Sequence, residues 1–319
     1  MTRIKRLRPG DLVEVRTPSE ILQTLDSAGS LNQLPFMPEM VPLCGKRFRV
    51  ARRVVKTCCF IERGTNMRAF PVEDVVTLEG TRCSGDAHDF CPKGCMVFWR
   101  EAWLCRVAAN DVPSRFDSNE SAQLMTRLKT LSANGKYFCQ ASEILNATRP
   151  LLRRERLVKC LNEVSAGNCT VVQMIHRVAV WMFWKIRRLT LGEYARGTKR
   201  STPSIGLGLQ AGDCVEVQPM ETIRETLNAK AHNRGLYFSP DMRLLCGSRQ
   251  KVAKKLDKII VDGTGEVREM YNTVYLEGSH CGCSHVAFGG CSRDEYTYWR
   301  EIWLRRPADS SPPLPRDNP

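Results

Sequence analysis

The 319-residue chain has no uninterrupted apolar run of 18 or more residues. Its most apolar stretch, 171–186, is broken by Gln173, His176 and Arg177. A bilayer-spanning helix needs about 20 predominantly apolar residues, so no membrane partner is expected. The start, Met1-Thr2-Arg3-Ile4-Lys5-Arg6, is basic with no apolar segment behind it, which predicts no secretory signal and a cytoplasmic protein. No glycine-rich phosphate loop, Gly-x-Ser-x-Gly or His-Glu-x-x-His occurs, so the usual signatures of nucleotide, acyl and zinc-peptidase chemistry are missing. Few aromatics interleave with the densest basic stretches, 149–159 and 185–200, so the stacking pattern of a nucleic-acid groove is missing too.

Acidic residues are in deficit. Lys and Arg number 48 against 34 Asp and Glu, giving a net charge of +14. An excess of this size favours acidic partners, whether a protein, a carrier or nucleic acid. Cysteine, in contrast, is abundant at 15 residues. An odd count without a secretory signal argues against a disulfide framework and for thiols used in metal binding or core packing.

The dominant pattern is an internal repeat. Gly10-Asp11-Leu12-Val13-Glu14-Val15 recurs as Gly212-Asp213-Cys214-Val215-Glu216-Val217. Phe36, Pro38, Met40, Cys44 and Gly45 recur as Phe238, Pro240, Met242, Cys246 and Gly247. All these pairs stand 202 residues apart (10 and 212, 40 and 242), so that stretch needs no gap. After a small length change Leu78-Glu79-Gly80 matches Leu276-Glu277-Gly278, and Cys83 and Cys91 match Cys281 and Cys291. Trp99-Arg100-Glu101-x-Trp103-Leu104 matches Trp299-Arg300-Glu301-x-Trp303-Leu304. The tryptophans read as core and the Arg/Glu pair as a surface salt bridge.

Each copy alternates as short strands with glycine turns and one small helix opened by Pro18-Ser19-Glu20 in the first. Strands are predicted at 48–55 and 72–78, and a hairpin across 258–268. The expected fold is α+β: two small SH3-like β-barrel modules, 1–110 and 201–307, flanking a helical middle region, 111–200, with a disordered tail at 308–319. In the middle, helices are predicted at 121–131, 141–148, 155–164 and 170–191, the last capped by Thr170. Its Met174, Val178, Trp181 and Lys185 row, with Ile175, Met182 and Ile186 beside it, is expected to pack on a barrel. The segment 192–208 reads as a linker.

Each module carries a Cys/His cluster. In the first, Cys83, His88, Cys91 and Cys95 fall within 13 residues, with Gly85 and Gly94 free to turn the loop. Three thiols and an imidazole are the donor set of a structural zinc site. The second offers Cys281, Cys283, His285 and Cys291, of which only Cys281 and Cys291 align with the first. The repeated Cys44/Cys246 can join the other repeated cysteines in an iron–sulfur site or simply pack; packing is preferred. Glu79, Glu101, Glu277 and Glu301 flank the clusters and are open to roles beside a metal or as bases.

The order Gly-Asp-x-Val-Glu-Val, Phe-x-Pro-Glu-Met, Cys-Gly-x-x-Phe-Arg-Val, Leu-Glu-Gly-x-x-Cys and Phe-Trp-Arg-Glu-Ala-Trp-Leu resembles an uncharacterised bacterial family of tandem-repeat, cysteine-rich proteins. Tyr-Phe-Cys-Gln-Ala-Ser-Glu-Ile in the middle region fits as well. The resemblance implies a place near specialised-metabolite or polysaccharide gene sets and transfers no activity. Together these features predict a zinc-binding tandem-barrel accessory protein acting on an acidic partner or carrier. The alternatives are a metalloenzyme with an iron–sulfur or catalytic metal held by the repeated cysteines, and a nucleic-acid-binding protein; whether the chain is an enzyme stays open.

Overall fold

The computed structural model describes residues 6–61, 64–281, 283, 285 and 287–307. The chain divides into two compact units. The first comprises residues up to Lys185 together with Lys258–Glu269 and Gly282–Glu295; the second comprises Ile186–Asp257, Met270–Cys281 and the residues from Tyr296 onward.

The sheet of the first unit is built from β1 (Leu12–Val15), β2 (Arg47–Arg53), β3 (Val75–Leu78), β4 (Trp99–Arg100) and β5 (Leu104–Arg106), in the order β4-β3-β2-β1-β5. In the second unit β6 (Cys214–Val217), β7 (Arg249–Lys255), β8 (Thr273–His280), β9 (Tyr296–Arg300) and β10 (Leu304–Arg305) take the same order, β9-β8-β7-β6-β10. All pairings are antiparallel. The second strand of each sheet pairs first with one neighbour and then with the other. Its register shifts between Val50 and Arg52 in one copy and between Val252 and Lys254 in the other, 202 residues on. A one-residue irregularity of this kind bends a strand so that it can serve two ladders. A single 3₁₀ turn, Glu101–Trp103 or Glu301–Trp303, precedes the last strand of each sheet. The mixed α+β class is as expected; no closed barrel is found among the described residues.

The repeated motifs explain why the two sheets fold alike. Phe36 lies edge-on to Trp99 and Trp103 with centroids 6.2 and 5.1 Å away, and Phe238 meets Trp299 and Trp303 at 6.2 and 5.2 Å. Trp103 Nε1 donates to Thr24 Oγ1 and Trp303 Nε1 to Thr226 Oγ1, each at 3.0 Å. A buried indole N–H thereby finds its partner in the short helix turn of its own copy. That helix, Pro18–Leu22, begins with a capping box in which Thr17 and Glu20 satisfy each other's backbone N–H groups.

The Arg/Glu pair between the tryptophans is not a surface salt bridge. Arg100 is wholly buried and binds Asp74 (2.5 Å) and the Asn32 carbonyl (3.0 Å). Arg300 donates to Thr273 Oγ1 and the Arg234 carbonyl, each at 2.8 Å. Glu101 and Glu301 accept backbone N–H groups from the segments leading into the first strands, Leu7 N and Gly208 N, each at 3.0 Å. Glu101 also pairs with Arg53. The motif ties strand, turn and lead-in together, which leaves these glutamates a structural task.

The four-way division expected from the sequence differs from the observed partition. The hairpin of Lys258–Ile260 and Val267–Glu269 and the loop 282–295 arise in the second copy but belong to the first unit. Ile260 joins the first core, Tyr137 N donates to Gly265 O and Gly263 N to Ala141 O (both 2.9 Å). The middle region is likewise no separate body: Ile144, Ala147 and Cys139 are part of that same core. The expected linker is packed as well. Ala195 is buried in the second core, and Gly197 lies so close that a Cβ there would stand 2.0 Å from Leu227 O. Helices occur at Ser118–Arg127, Ile144–Ala147, Glu155–Ser165 and Val171–Leu191, the last with Thr170 Oγ1 accepting from Gln173 N at 3.2 Å. No helix among the described residues is long and apolar enough to cross a membrane. The predicted disordered tail, 308–319, lies outside the described residues.

Each copy should depend on its own aromatic centre to the same degree. Phe36→Ala and Phe238→Ala are each expected to lower the unfolding free energy by about 3–5 kcal/mol in urea titrations.

Candidate metal centre

Three buried thiols converge in the first unit. The Sγ atoms of Cys58, Cys283 and Cys291 all lie within 4.8 Å of one another, and those of Cys58 and Cys291 are 3.5 Å apart. A disulfide needs sulfurs about 2.05 Å apart, and all 15 cysteines are free. A tetrahedral zinc with Zn–S bonds of about 2.3 Å holds its sulfurs about 3.8 Å apart. The three thiols lie close enough together to hold a metal ion.

Two elements from opposite ends of the chain supply these thiols. Cys58 sits on the strand Thr57–Ile61 of a hairpin between β2 and β3. Cys291 lies 233 residues away in the loop 282–295. That loop is laid along the strand by a series of hydrogen bonds. Ser292 N donates to Lys56 O (3.2 Å), Lys56 Nζ to Phe288 O (2.7 Å) and Arg52 Nη1 to Cys291 O (3.0 Å). Gly289 has a φ of +70°, and a Cβ there would meet Cys160 Sγ at 2.6 Å, so the approach requires glycine.

Beside the thiols runs a buried charge network. Arg293 Nη1 donates to Asp262 Oδ2 (2.7 Å) and to Cys58 O (3.1 Å), and its Nε donates to Glu295 Oε1 (2.8 Å). Lys93 forms the second ion pair of Asp262. Burial opposes ionisation of Asp262, yet Arg293 and Lys93 outweigh it and hold the carboxyl well below the usual carboxylate range. The Cys283 and Cys58 thiols, acting against burial, hold Cys291 well below the ordinary thiol value. Its coupled neighbour Cys58 moves the other way, well above the ordinary value: the Cys283 thiol lowers it, but the Cys291 thiol and burial outweigh that.

The ligand sets expected from the sequence are only partly assembled. Cys283 and Cys291 belong to the cluster; Cys281 falls in the second unit, and His285 is buried in the first without joining the group of three. In the first set, Cys83, His88, Cys91 and Cys95 line a common cavity of about 30 Å³ with Cys139, but among the described residues their donor atoms do not form a close group. The loop does fold back as expected: Gly85 (φ +82°) packs so tightly that a Cβ would stand 2.2 Å from Cys91 O, and Cys83 N donates to Cys95 O at 2.9 Å. His88 is otherwise engaged. Its Nδ1 lies 2.5 Å from Glu39 Oε1 and its Nε2 3.0 Å from Phe138 O, so two acceptors face one buried ring. Burial works against the charge, but the Glu39 carboxylate outweighs it and raises the imidazole above its ordinary value. Both ring nitrogens of His88 are thus engaged by protein oxygens rather than turned toward the neighbouring thiols. Cys44 lies in the first core, its thiol pushed up to about 12 by burial, and Cys246 packs against the second, as the packing reading expects.

Cys58 was beyond the reach of repeat alignment, because its counterpart 202 residues on is Ile260. The available signal was the doublet Cys58-Cys59 in a β-branched run. Adjacent strand residues face opposite ways, so the two thiols had to serve different surroundings. No family model, curated protein or solved structure matches the chain.

Two measurements follow. Asp262→Ala strands Arg293 and Lys93 without their carboxylate and is expected to cost about 3–5 kcal/mol in urea unfolding. For His88, the raised folded value means that its contribution is fully present below the unfolded value of about 6.5 and is lost as pH rises through the folded value. Stability should fall across that interval, and His88→Gln should remove this component of the pH profile.

Proposed function

We propose that the chain is a metal-binding accessory protein in which one zinc ion, held by the thiolates of Cys58, Cys283 and Cys291, clamps the loop 282–295 onto the strand Thr57–Ile61. The observation that carries this reading is the convergence of three buried thiols, none in a disulfide, within 4.8 Å of one another. Thiolate ligands favour zinc or iron–sulfur chemistry over magnesium or calcium. With three protein donors named, a tetrahedral ion has one position left for a further donor. A structural role suits the burial of all three thiols and the loop they fasten.

The sheets support the rest of the reading. A five-stranded order in which the first strand lies between the second and the fifth, with a 3₁₀ turn before the last, is consistent with an SH3-like module used for binding. The charge of +14 favours an acidic partner, either a protein or a carrier. Free thiols throughout fit a reducing compartment such as the cytoplasm. A biosynthetic setting, which the resemblance to the uncharacterised bacterial family implies, is part of the same proposal.

Metal analysis of the full chain purified without oxygen tests the clamp. About one zinc per chain is expected, lost in Cys58→Ser and Cys291→Ser and retained in Cys83→Ser. Chelation should lower the melting temperature of the parent chain and leave that of Cys58→Ser unchanged. Iron with acid-labile sulfide and a brown colour would replace this reading with the iron–sulfur enzyme. Retention of zinc by Cys58→Ser would move the metal away from this cluster.

A further inference from the structure

Lysine is seldom fully buried unless a carboxylate accompanies it. Lys56 is 1% exposed, yet among the described residues its Nζ forms no ion pair. It donates to Phe288 O at 2.7 Å and to Cys160 Sγ at 3.6 Å. Glu163, a buried carboxyl on the same helix as Cys160, is bound instead by Asn168 Nδ2 at 2.6 Å. A primary amine and a thiol are therefore left facing each other out of water, 104 residues apart in sequence.

Three elements of the first unit hold the two groups in place. Lys56 leads into the strand Thr57–Ile61, and its backbone carbonyl accepts from Ser292 N at 3.2 Å. Cys160 lies on the buried side of the helix Glu155–Ser165. Gly289 of the loop 282–295 packs against both: a Cβ there would stand 2.6 Å from Cys160 Sγ and 2.9 Å from Lys56 Nζ. Cys160 shares its buried cluster with Cys169 and Met174. The amine and the thiol thus stay neighbours whatever the surface side chains do.

A thiol oxidised by a peroxide becomes a sulfenic acid, and a sulfenic sulfur is attacked by a nearby thiol or nitrogen. At Cys160 the nitrogen is already in contact. We propose that Lys56 and Cys160 are the site of a reversible oxidative crosslink, a sulfenamide bond between Sγ and Nζ formed with a peroxide as oxidant. In the first step Sγ gives an electron pair to one peroxide oxygen. The O–O bond breaks, the thiol proton leaves with the second oxygen as water, and Sγ is oxidised to the sulfenic acid as the peroxide is reduced. In the second step the Nζ lone pair attacks Sγ. The S–O bond breaks, the hydroxyl leaves with an amine proton as water, and the S–N bond forms. An external thiol reverses the link by attacking Sγ and releasing the amine, and a second thiol clears the mixed disulfide. Burial raises the Cys160 thiol above its ordinary value against the pull of Lys56, so it reacts more slowly than the exposed Cys105 and Cys214. The inference goes beyond the metal clamp and does not rest on it.

The test treats the full chain with hydrogen peroxide, blocks the remaining thiols with iodoacetamide and digests with trypsin without reduction. Cleavage after Lys56 should be lost. Mass spectrometry should find Lys56 joined to the tryptic peptide 160–177, at the summed mass less two hydrogens, with fragmentation placing the link on Cys160. Dithiothreitol before digestion should restore the cleavage and the separate peptides. In Cys160→Ala cleavage after Lys56 should survive peroxide, and in Lys56→Met Cys160 should proceed to sulfinic acid. Should either substitution unsettle the core, the peptides of the parent chain still decide. A disulfide between Cys160 and Cys169, sulfinic acid at Cys160 with Lys56 still cleaved, or an untouched Cys160 after Cys105 and Cys214 are fully oxidised would each overturn the proposal. A link that retains one oxygen would overturn the direct S–N bond.

Discussion

The buried carboxylate of Asp262 is the interaction on which the first unit turns. It receives Lys93 from the cysteine loop of the first copy and Arg293 from that of the second, and Arg293 in turn reaches the Cys58 carbonyl. Three segments far apart in sequence thus meet on one side chain. Removing charges from water is costly, and the cost is offset only where geometry and hydrogen bonds are complete. Here both oxygens of Asp262 are used, so any displacement of the loops exposes an unpaired charge. The thiols converge beside this network, which Arg293 links to the Cys58 carbonyl.

Much of the scaffold was legible in the sequence. The constant spacing of 202 residues predicted two similar modules; they are open sheets rather than the expected barrels, and they agree down to a register irregularity at equivalent positions. Strand alternation, the Pro18 helix start and the Thr170 cap are local signals, and local signals survive folding. The two tryptophans of each copy read as core because only burial explains two large aromatics at fixed spacing.

The cysteine cluster was only half legible, for a geometric reason. Spacing within one loop suggests ligands that are near in sequence, as in Cys83, His88, Cys91 and Cys95. A buried carboxylate at Glu39 captured His88 first, and the remaining thiols face a small cavity from different walls. The thiol that completes the group, Cys58, lies on a hairpin whose equivalent in the second copy carries Ile260. Repeat alignment highlights what two copies share, whereas this centre rests on what they do not. Ile175, Met182 and Ile186, expected to pack, are exposed instead: periodicity reveals an apolar stripe but not which of two adjacent stripes faces the protein.

The interleaving of the copies also orders events during synthesis. Cys58 emerges early, but the loop that shelters it includes residues as late as Glu295. Closing so long a loop carries an entropic cost that rises only slowly with its length, so delay weighs more than energy. Until residues 258–295 are made, the first unit lacks the hairpin of Lys258–Ile260 and Val267–Glu269 and two of its three converging thiols. The first unit therefore becomes complete only when residues of the second copy arrive.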